Sequence, residues 1–372
     1  MRLLLVLGLA GCTSGPWLSD DRMLVDSSQI TNEDCRTDLC VHSENTDLTV
    51  WGGAIYLVHR TAESQILGPN SSLRVYRSDD DGAHFTLLAI IPAPSDRDLR
   101  DPCFYTIGGN LAIKALTRLP VNSVRDSDVD TITVNTVSSD GGMTWSSLAN
   151  IGPEMWSFWR IKDDASGVHY SAAYEDGDLA VQLFSSQDGT TWTPGATIYD
   201  VSDDTPLETE LVFMPSGTLL ALVRMDGTDD ELLGNVGRLR TKVCWAEPPY
   251  ASFSCPQELT GVRLDGPVAF FDHAGKRLFV IARKHFIETE DRKRTALYEL
   301  RGDFDNAGEL AIVDHGNFPS AGDTSYAGVA PIDDHRFLVS WYSSPLSEDG
   351  PWARAIFGPT DIWQGVVDLS KL

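Results

Sequence analysis

Short apolar runs separated by turns rich in glycine or aspartate follow one another along most of the chain. Typical runs read AIYLV at 54–58, LAIKAL at 111–116, TLLALV at 218–223, RLFVIA at 277–282 and RFLVSWY at 336–342. Runs of four to seven residues that alternate or are wholly apolar are typical of strands. Beyond the N-terminus, no segment has the period of a long amphipathic helix. The pattern therefore predicts an all-β protein.

The turns between paired apolar runs recur six times, about every 50 to 60 residues. They lie at 51–53, 108–110, 163–167, 215–217, 272–275 and 333–335. Six units of this length, each with about four short strands, predict a six-bladed β-propeller of four-stranded antiparallel blades. The predicted blades are 46–93, 98–151, 154–200, 205–260, 262–315 and 323–370.

Three stretches share the pattern Ser-x-Asp/Gln-x-Gly-x-x-aromatic. They read SDDDGAHF at 78–85, SSDGGMTW at 138–145 and SSQDGTTW at 185–192, each after a strand-like run. Ser and Asp side chains of such a turn can hydrogen-bond its own backbone, and the glycine supplies a positive φ. We interpret these stretches as scaffold turns between the third and fourth strands of a blade, on the face away from any ligand.

The pattern resembles the Asp-box of the sialidase superfamily, whose fold is a six-bladed propeller. The resemblance covers nearly the whole chain after residue 45. It implies the fold more than the function, because the same box also occurs in propellers that are not enzymes.

The N-terminus reads MRLLLVLGLAGC, with an apolar core too short to span a bilayer. It predicts a signal peptide over 1–11. The Leu-Ala-Gly-Cys stretch resembles the bacterial lipobox, which implies cleavage before Cys12 and lipidation of its thiol. Thr13 after this cysteine favours outer-membrane sorting. The sequence thus predicts a lipid-anchored cell-envelope protein, with a tether and acidic segment over 12–45 and the propeller over 46–372.

Acidic residues outnumber basic ones by 54 to 29, for a net charge of −25. Such a chain is a poor nucleic-acid binder, since phosphate contacts need a basic face. We expect a glycan partner, a monomer and no cofactor. Export permits disulfides, and the two local pairs are Cys35 with Cys40 and Cys244 with Cys255. Cys103 is left over as a buried apolar side chain, and no histidine stands at zinc-ligand spacing beside the cysteines.

Charged and aromatic residues stand where innermost strands begin and second strands end, positions that converge on the axis of a propeller. They are predicted to form one polar ligand site. The set comprises Asp47, His59, Arg60, Arg100, Asp101, Trp159, Arg160, Tyr174, Glu175, Glu208, Glu210, Arg224, Asp265, Arg283, Arg294, Tyr326 and Tyr342.

The sialidase resemblance implies roles for four of these residues. PLETEL followed by LLALVR resembles the segment with the glutamate partner and one clamp arginine, which gives Glu208 and Arg224. RTALYEL implies a second clamp arginine at Arg294, and GDTSYAG implies the nucleophile at Tyr326. Glu210 is the rival to Glu208, because both could share one face of a strand.

The chain departs from the sialidase pattern in blade one. Thr46-Asp47-Leu48 stands where sialidases have Arg-Ile-Pro, so Arg60 or Arg100 could replace the missing arginine. The acid is left open among Glu63, Asp47 and Asp101. Other expected substrate contacts come from Arg160, Arg283 and Tyr342.

Together these features predict a cell-surface exo-glycoside hydrolase of sialidase type that releases a terminal, acidic sugar. A phenol suits this chemistry, because it stays neutral beside an anionic sugar until a carboxylate takes its proton. The alternative is a non-catalytic propeller that binds a glycan or a protein.

Overall fold

Six four-stranded antiparallel sheets make up the protein, which confirms the predicted six-bladed propeller. The computed structural model describes residues 15–372 except 33, 67, 120–129, 176–179, 201–204, 228–236, 238, 287–291 and 305. Cys12 and the expected signal peptide lie outside the described residues. Within the described part, no helix has both the length and the apolar character needed to cross a membrane.

Blades one to five each take four consecutive strands, with the first strand innermost. Blade one contains β2 (His42–Trp51), β3 (Ala54–Ala62), β4 (Ser72–Ser78) and β5 (Thr86–Pro92). Blade two contains β6 (Asp98–Ile107), β7 (Asn110–Arg118), β8 (Thr131–Ser138) and β9 (Ala149–Asn150). Blade three contains β10 (Trp156–Asp163), β11 (His169–Glu175), β12 (Ala180–Ser186) and β13 (Thr193–Asp200). Blade four contains β14 (Pro206–Phe213), β15 (Leu219–Met225), β16 (Arg240–Ala246) and β17 (Ser254–Thr260). Blade five contains β18 (Asp265–Phe271), β19 (Leu278–Phe286), β20 (Arg292–Gly302) and β21 (Leu310–Asn317).

Blade six is closed by the N-terminal segment. Its inner strands are β22 (Thr324–Pro331), β23 (Arg336–Ser343) and β24 (Asp361–Asp368), and its outermost strand is β1 (Leu18–Val25). β1 pairs antiparallel with β24, so both ends of the chain meet in one sheet. This corrects the tether expected over 12–45. The strand LSDDRMLV lacks an apolar pattern because most of its side chains face solvent.

The core lies between neighbouring sheets, which bury both faces of the inner strands. In β19, Leu278 and Val280 pack toward blade four, while Phe279 and Ile281 pack toward blade six. Burial on both faces explains why this strand reads as a continuous apolar run instead of an alternating one.

The three repeated turns join third and fourth strands, as predicted. In the second turn, Ser138 Oγ donates to Asp140 Oδ1 at 2.8 Å, and the Gly142 N–H donates to Ser138 Oγ at 2.8 Å. The Tyr56 hydroxyl of blade one donates to Gly141 O at 3.0 Å. The turn therefore fastens blade two to the blade before it.

The third turn differs from its predicted alignment by one residue. Ser186 and Asp188 make its side-chain hydrogen bonds to the turn backbone, in place of the expected Ser185 and Gln187. It is one residue shorter than the other two, and Gly189 accepts from the Tyr105 hydroxyl of the preceding blade at 3.1 Å.

Covalent links are local. Disulfides join Cys35 to Cys40 and Cys244 to Cys255, and Cys103 is a buried free thiol. The described helical segments are a single α-turn, Trp352–Ala355, and short 3₁₀ turns at Ser27–Gln29, Leu346–Glu348 and Leu369–Lys371.

Every innermost strand carries a β-bulge at the same depth. In blade six, two residues of β22, Tyr326 and Ala327, stand opposite one residue of β23. Equivalent bulges interrupt the pairing of the other five innermost strands between residues 44 and 47, 100 and 103, 158 and 161, 206 and 209, and 265 and 268. A bulge bends a strand and redirects its side chains. The six bulges therefore turn side chains toward the same end of the axis.

Candidate functional site

Four of the six bulges, those of blades one, two, three and six, line a small cavity at the axis of the propeller. Their residues lining this cavity are Asn45, Thr46, Asp101, Pro102, Trp159, Arg160 and Tyr326. Asn45, Asp101 and Tyr326 have φ values of 52°, 50° and 46°, a left-handed conformation that only a few per cent of non-glycine residues adopt. Strained backbone of this kind clusters at functional sites. The cavity is therefore the candidate site.

Tyr326 and Glu208 form the centre of this site. The Tyr326 hydroxyl donates a hydrogen bond to Glu208 Oε1. Glu208 Oε2 accepts from Arg224 Nη1 at 2.8 Å and from the Gly266 N–H at 2.8 Å. Arg224 Nη1 also lies 3.4 Å from the Tyr326 hydroxyl. A buried carboxylate is thus held in place to take the proton of the phenol.

The protein keeps Tyr326 protonated. Burial, and then the negative charge of Glu208, raise the pKa of the phenol well above its ordinary value of 10.0. The ring packs on Gly266, where an added Cβ would lie 2.8 Å from ring atoms. Since a Cβ cannot approach that closely, glycine is required beneath the tyrosine. A phenol in this state could act as a nucleophile only if its proton passed to a base such as Glu208.

Two arginines approach the tyrosine. Arg224 contacts its hydroxyl, and the guanidinium of Arg283 lies 5.0 Å from the centre of its ring. Both are already held by protein carboxylates. Arg224 binds Asp226 through Nε at 2.5 Å and Nη2 at 2.7 Å, and Arg283 Nη2 lies 3.2 Å from Asp323 Oδ1.

One of the expected clamp arginines, Arg294, is held by an acidic side chain of blade six. It forms a bidentate ion pair with Asp349, at 2.9 and 2.6 Å, while Arg283 lies beside Tyr326. Arg283 lies in the second half of β19, and its Nη2 donates to the Tyr342 hydroxyl at 2.8 Å. Tyr342 therefore contacts Arg283, which in turn lies beside Tyr326.

The candidate arginines of the first three blades all lie beside protein carboxylates. Arg60 is buried in ion pairs with Glu44 and Asp98, at 2.6 and 2.7 Å, and Arg160, which lines the cavity, pairs with Asp47 at 2.5 Å. Arg100 lies 3.5–3.8 Å from three carboxylates and also interacts electrostatically with Tyr326. This interaction favours Arg100 over Arg60 as the candidate for the arginine missing from blade one.

The three candidate acids lie in different surroundings. Asp101 lines the cavity with Tyr326, and burial raises the pKa of its carboxyl. Asp47 accepts from Arg160 and from the Phe104 N–H at 2.8 Å, which commits it to packing between blades. Glu63 is exposed and contacts Asn70 at 3.3 Å. Asp101 is the one of the three that combines a place beside Tyr326 with a shift toward the protonated form.

Glu210, the alternative to Glu208, makes contacts that hold neighbouring blades together. Its Oε1 accepts from the Ala269 N–H at 2.9 Å and pairs with Lys162 Nζ at 2.7 Å. It therefore links blades three, four and five. The bulge between 206 and 209 separates the roles of Glu208 and Glu210.

Several acidic residues of the site escaped the sequence analysis. Asp226 and Asp323 hold the two arginines beside Tyr326, and Glu44 holds Arg60. The sequence does contain a signal for Asp226. It lies two residues after Arg224, and residues at that spacing share a face of an extended strand. Asp323 stands within the GDTSYAG segment itself.

No protein-family model matches the chain, and neither does any curated protein sequence. Solved structures do match. A protein of unknown function from Dyadobacter fermentans is 17% identical with a TM-score of 0.67, covering 95% of this chain and 99% of that one. The Trypanosoma rangeli sialidase in its covalent intermediate with 2,3-difluorosialic acid is 15% identical with a TM-score of 0.64, covering 96% and 60%. The intramolecular trans-sialidase from Ruminococcus gnavus is 11% identical with a TM-score of 0.62, covering 89% and 95%.

The chain has the sialidase fold. Identities of 11% to 17% establish that fold and nothing finer. The chain spans 60% of the length of the Trypanosoma protein. Within this sialidase fold, the bulged inner strands β22 and β14 bring Tyr326 to Glu208, and the second strand of blade four adds Arg224.

Proposed function

We propose that the chain is a glycoside hydrolase that releases a terminal sugar through a covalent bond to Tyr326. The observation that carries this proposal is the hydrogen bond from Tyr326 to Glu208 in a site shared with Arg224. A partly buried tyrosine bonded to a buried carboxylate is the arrangement expected of a phenol that must lose its proton during attack. A relative of the same fold has been solved as a covalent intermediate, which agrees with this chemistry.

The reaction follows two displacements. Tyr326 Oη attacks the anomeric carbon, its proton passes to Glu208, and the bond to the leaving oxygen breaks as Asp101 donates a proton to that oxygen. Water then attacks the anomeric carbon and gives a proton to Asp101, while the Tyr326–sugar bond breaks and the phenol regains its proton from Glu208. Each carboxyl returns to its starting state, and the sugar keeps its anomeric configuration.

The charge of the substrate stays a prediction. Arg224 and Arg283 beside Tyr326 favour a carboxylate-bearing sugar, as in the sequence-based expectation. Both arginines already face protein carboxylates, so a neutral sugar is the competing substrate class. A panel of fluorogenic sialosides, uronides and neutral glycosides separates the two classes directly.

The decisive variant is Tyr326→Phe. We expect turnover to be abolished with an unchanged melting temperature, because the substitution removes only the hydroxyl. Tyr56→Phe is the matched control, since that tyrosine is buried and its hydroxyl likewise donates one hydrogen bond, to Gly141 O at the opposite end of the propeller. Mass spectrometry of protein treated with a 2-fluoro analogue of the cleaved sugar should place the sugar on Tyr326. Full activity in Tyr326→Phe would reject the proposal.

A non-catalytic propeller that binds a glycan is the second candidate. It is favoured by the engagement of Arg60, Arg160 and Arg294 with protein carboxylates. Absence of release from every fluorogenic substrate, together with retained binding on a glycan array, would select this alternative.

We also propose that the protein is held at the bacterial cell surface by a lipid on Cys12. The support is the lipobox resemblance of the N-terminus. Cys12→Ser should abolish labelling by radioactive palmitate and release the protein from the membrane fraction. Unchanged membrane association of the unlabelled variant would contradict the anchor.

A further inference from the structure

A second cluster of titratable side chains lies where the ring of blades closes. It contains His42 and Glu44 of β2 in blade one, and Asp323, which directly precedes β22 of blade six. All three side chains are at most 1% exposed. The proposed reaction uses none of them as an acid, base or nucleophile, so their presence in the interior needs another explanation.

Each carboxylate has one oxygen bound to protein and one turned toward the cluster. Glu44 Oε1 accepts from Arg60 Nη1 at 2.6 Å, which leaves Oε2 facing His42. Asp323 Oδ1 accepts from the Tyr342 hydroxyl at 3.0 Å, from Trp352 Nε1 at 2.9 Å and from Arg283 Nη2 at 3.2 Å, so the charge of Arg283 lies on the Oδ1 side. Asp323 Oδ2 has no hydrogen-bond partner among the described residues. A buried, unpartnered carboxylate oxygen is costly unless a cation lies beside it.

The histidine is oriented in the way that metal ligands are. His42 Nδ1 lies 2.8 Å from the Gly358 carbonyl. Because a carbonyl can only accept, this nitrogen carries the proton, and in the neutral ring Nε2 presents its lone pair to the cluster. Metal-bound histidines commonly donate their other ring N–H to a backbone carbonyl in this manner.

The spacing of the three facing atoms fits a small cation. His42 Nε2 lies 3.4 Å from Glu44 Oε2 and 3.9 Å from Asp323 Oδ2, and the three atoms all lie within 4.8 Å of one another. Zinc binds nitrogen and oxygen at about 2.0–2.2 Å, so neighbouring ligands of a tetrahedral site stand about 3.3–3.6 Å apart. Small shifts of the Asp323 carboxylate would place the three atoms at three of the four corners of that geometry.

We propose that His42, Glu44 and Asp323 bind one divalent transition-metal ion, with Zn²⁺ as the preferred species. One imidazole nitrogen with two carboxylates suits zinc better than Ca²⁺ or Mg²⁺, which take oxygen ligands almost exclusively. The ion would tie blade one to blade six and fix the segment that leads into Tyr326, three residues after Asp323. Because the three ligands are buried, we expect the ion to enter during folding and to exchange slowly.

The test uses the untagged chain, purified without chelator. Metal content is measured by plasma mass spectrometry, directly and after refolding from denaturant in chelator with or without ZnCl₂. We expect one equivalent of zinc per chain, a higher melting temperature with ZnCl₂ than without it, and no such effect of CaCl₂ or MgCl₂. Cobalt in place of zinc should give the visible absorption of a four-coordinate site.

The variant His42→Gln should lower the zinc affinity at least tenfold. His169→Gln is the matched control, because His169 is also buried and pairs with one carboxylate, Asp163, at 2.6 Å. Asp323→Asn serves as the second variant if His42→Gln does not fold. Zinc-free protein after refolding in ZnCl₂, or equal zinc in His42→Gln and His169→Gln, would overturn the proposal. The first result would assign the cluster to a buried imidazolium between two carboxylates.

Discussion

The two ends of the propeller use the same residue types for opposite purposes. At one end, Asp140 belongs to a repeated turn and accepts from the Thr144 N–H at 2.9 Å and the Thr144 hydroxyl at 2.6 Å. These bonds lower the pKa of Asp140 to about 2. At the other end, Asp101 lies in a bulge, and burial raises the pKa of its carboxyl. The turn thus favours the ionised form of Asp140, whereas burial favours the protonated form of Asp101, which can donate a proton.

The two ends of the propeller differ in how far apart in the sequence the hydrogen-bonded residues lie. The turn carboxylate bonds residues within four positions of it in the sequence, so one blade supplies the whole arrangement. The Glu208–Tyr326 hydrogen bond spans 118 residues and joins blades four and six. An acid beside glycines therefore does not mark a catalytic loop.

The largest effect should come from removing the charge at the bulge end. Glu208→Gln leaves the shape of the side chain but deprives Tyr326 of its proton acceptor, and we expect a loss of about 10²–10⁴-fold in turnover. Glu210→Gln is the control, because it bonds Ala269 and Lys162 and should lower stability more than turnover. Steady-state kinetics and urea unfolding of both variants check this. Equal losses of turnover would contradict the separate roles.

A pH profile should separate Asp101 from its rivals. If Asp101 is the acid, it works protonated, so activity falls as pH rises through its raised pKa. Asp101→Asn should remove this fall in activity at high pH. It should also lower turnover about 10²-fold for a substrate with a poor leaving group. The loss should be smaller with an activated aryl leaving group, which needs little protonation. Glu63→Gln should leave the pH profile of activity unchanged. If Asp101→Asn and Glu63→Gln altered that profile in the same way, Asp101 would be rejected as the acid.

Much of the fold, and less of the site, could be predicted from the sequence. Strand β19 could be recognised in the sequence, because both of its faces are buried and it reads as a continuous apolar run. Strand β1 could not be recognised, because four of its eight side chains are exposed and it has no apolar pattern. Glu208, Arg224 and Tyr326 came from the sialidase resemblance. The ion pair of Arg294 with Asp349 could not be foreseen, because the two residues stand 55 positions apart and no local pattern reveals that pairing.

The bulges explain why the remaining features of the site could not be predicted from the sequence. Strand alternation assigns side chains to faces only where pairing is regular, and each inner strand has one extra residue at the depth of the cavity. Asn45, Asp101 and Tyr326 adopt positive φ there without being glycine. Sequence patterns point to glycine or asparagine for such positions, so a tyrosine gives no local sign of its conformation.

At the turn end, the effect should fall on stability alone. Gly142 has a φ of +87°, and an added Cβ would lie 3.1 Å from the Tyr56 ring. Gly142→Ala should therefore lower the free energy of unfolding by about 1–2 kcal/mol with unchanged turnover. Gly53→Ala has a similar φ, +79°, but its Cβ would meet nothing within 4 Å. Urea unfolding of the pair isolates the contact with Tyr56, and a lower turnover in Gly142→Ala would break the separation of the two ends.

The smallest effect is an acid-dependent one at Asp140. Its folded pKa of about 2 lies below the ordinary 3.8, so its ionised form stabilises the fold above about pH 4. That contribution is lost as pH falls from 3.8 toward 2, because the carboxylate must then be protonated. The stability difference between the native chain and Asp140→Asn should thus be constant above pH 5 and shrink on acidification, as followed by urea unfolding. A difference that stays constant down to pH 2.5 would show that the charge of Asp140 contributes nothing to the turn, and that Asn at this position keeps the same hydrogen bonds.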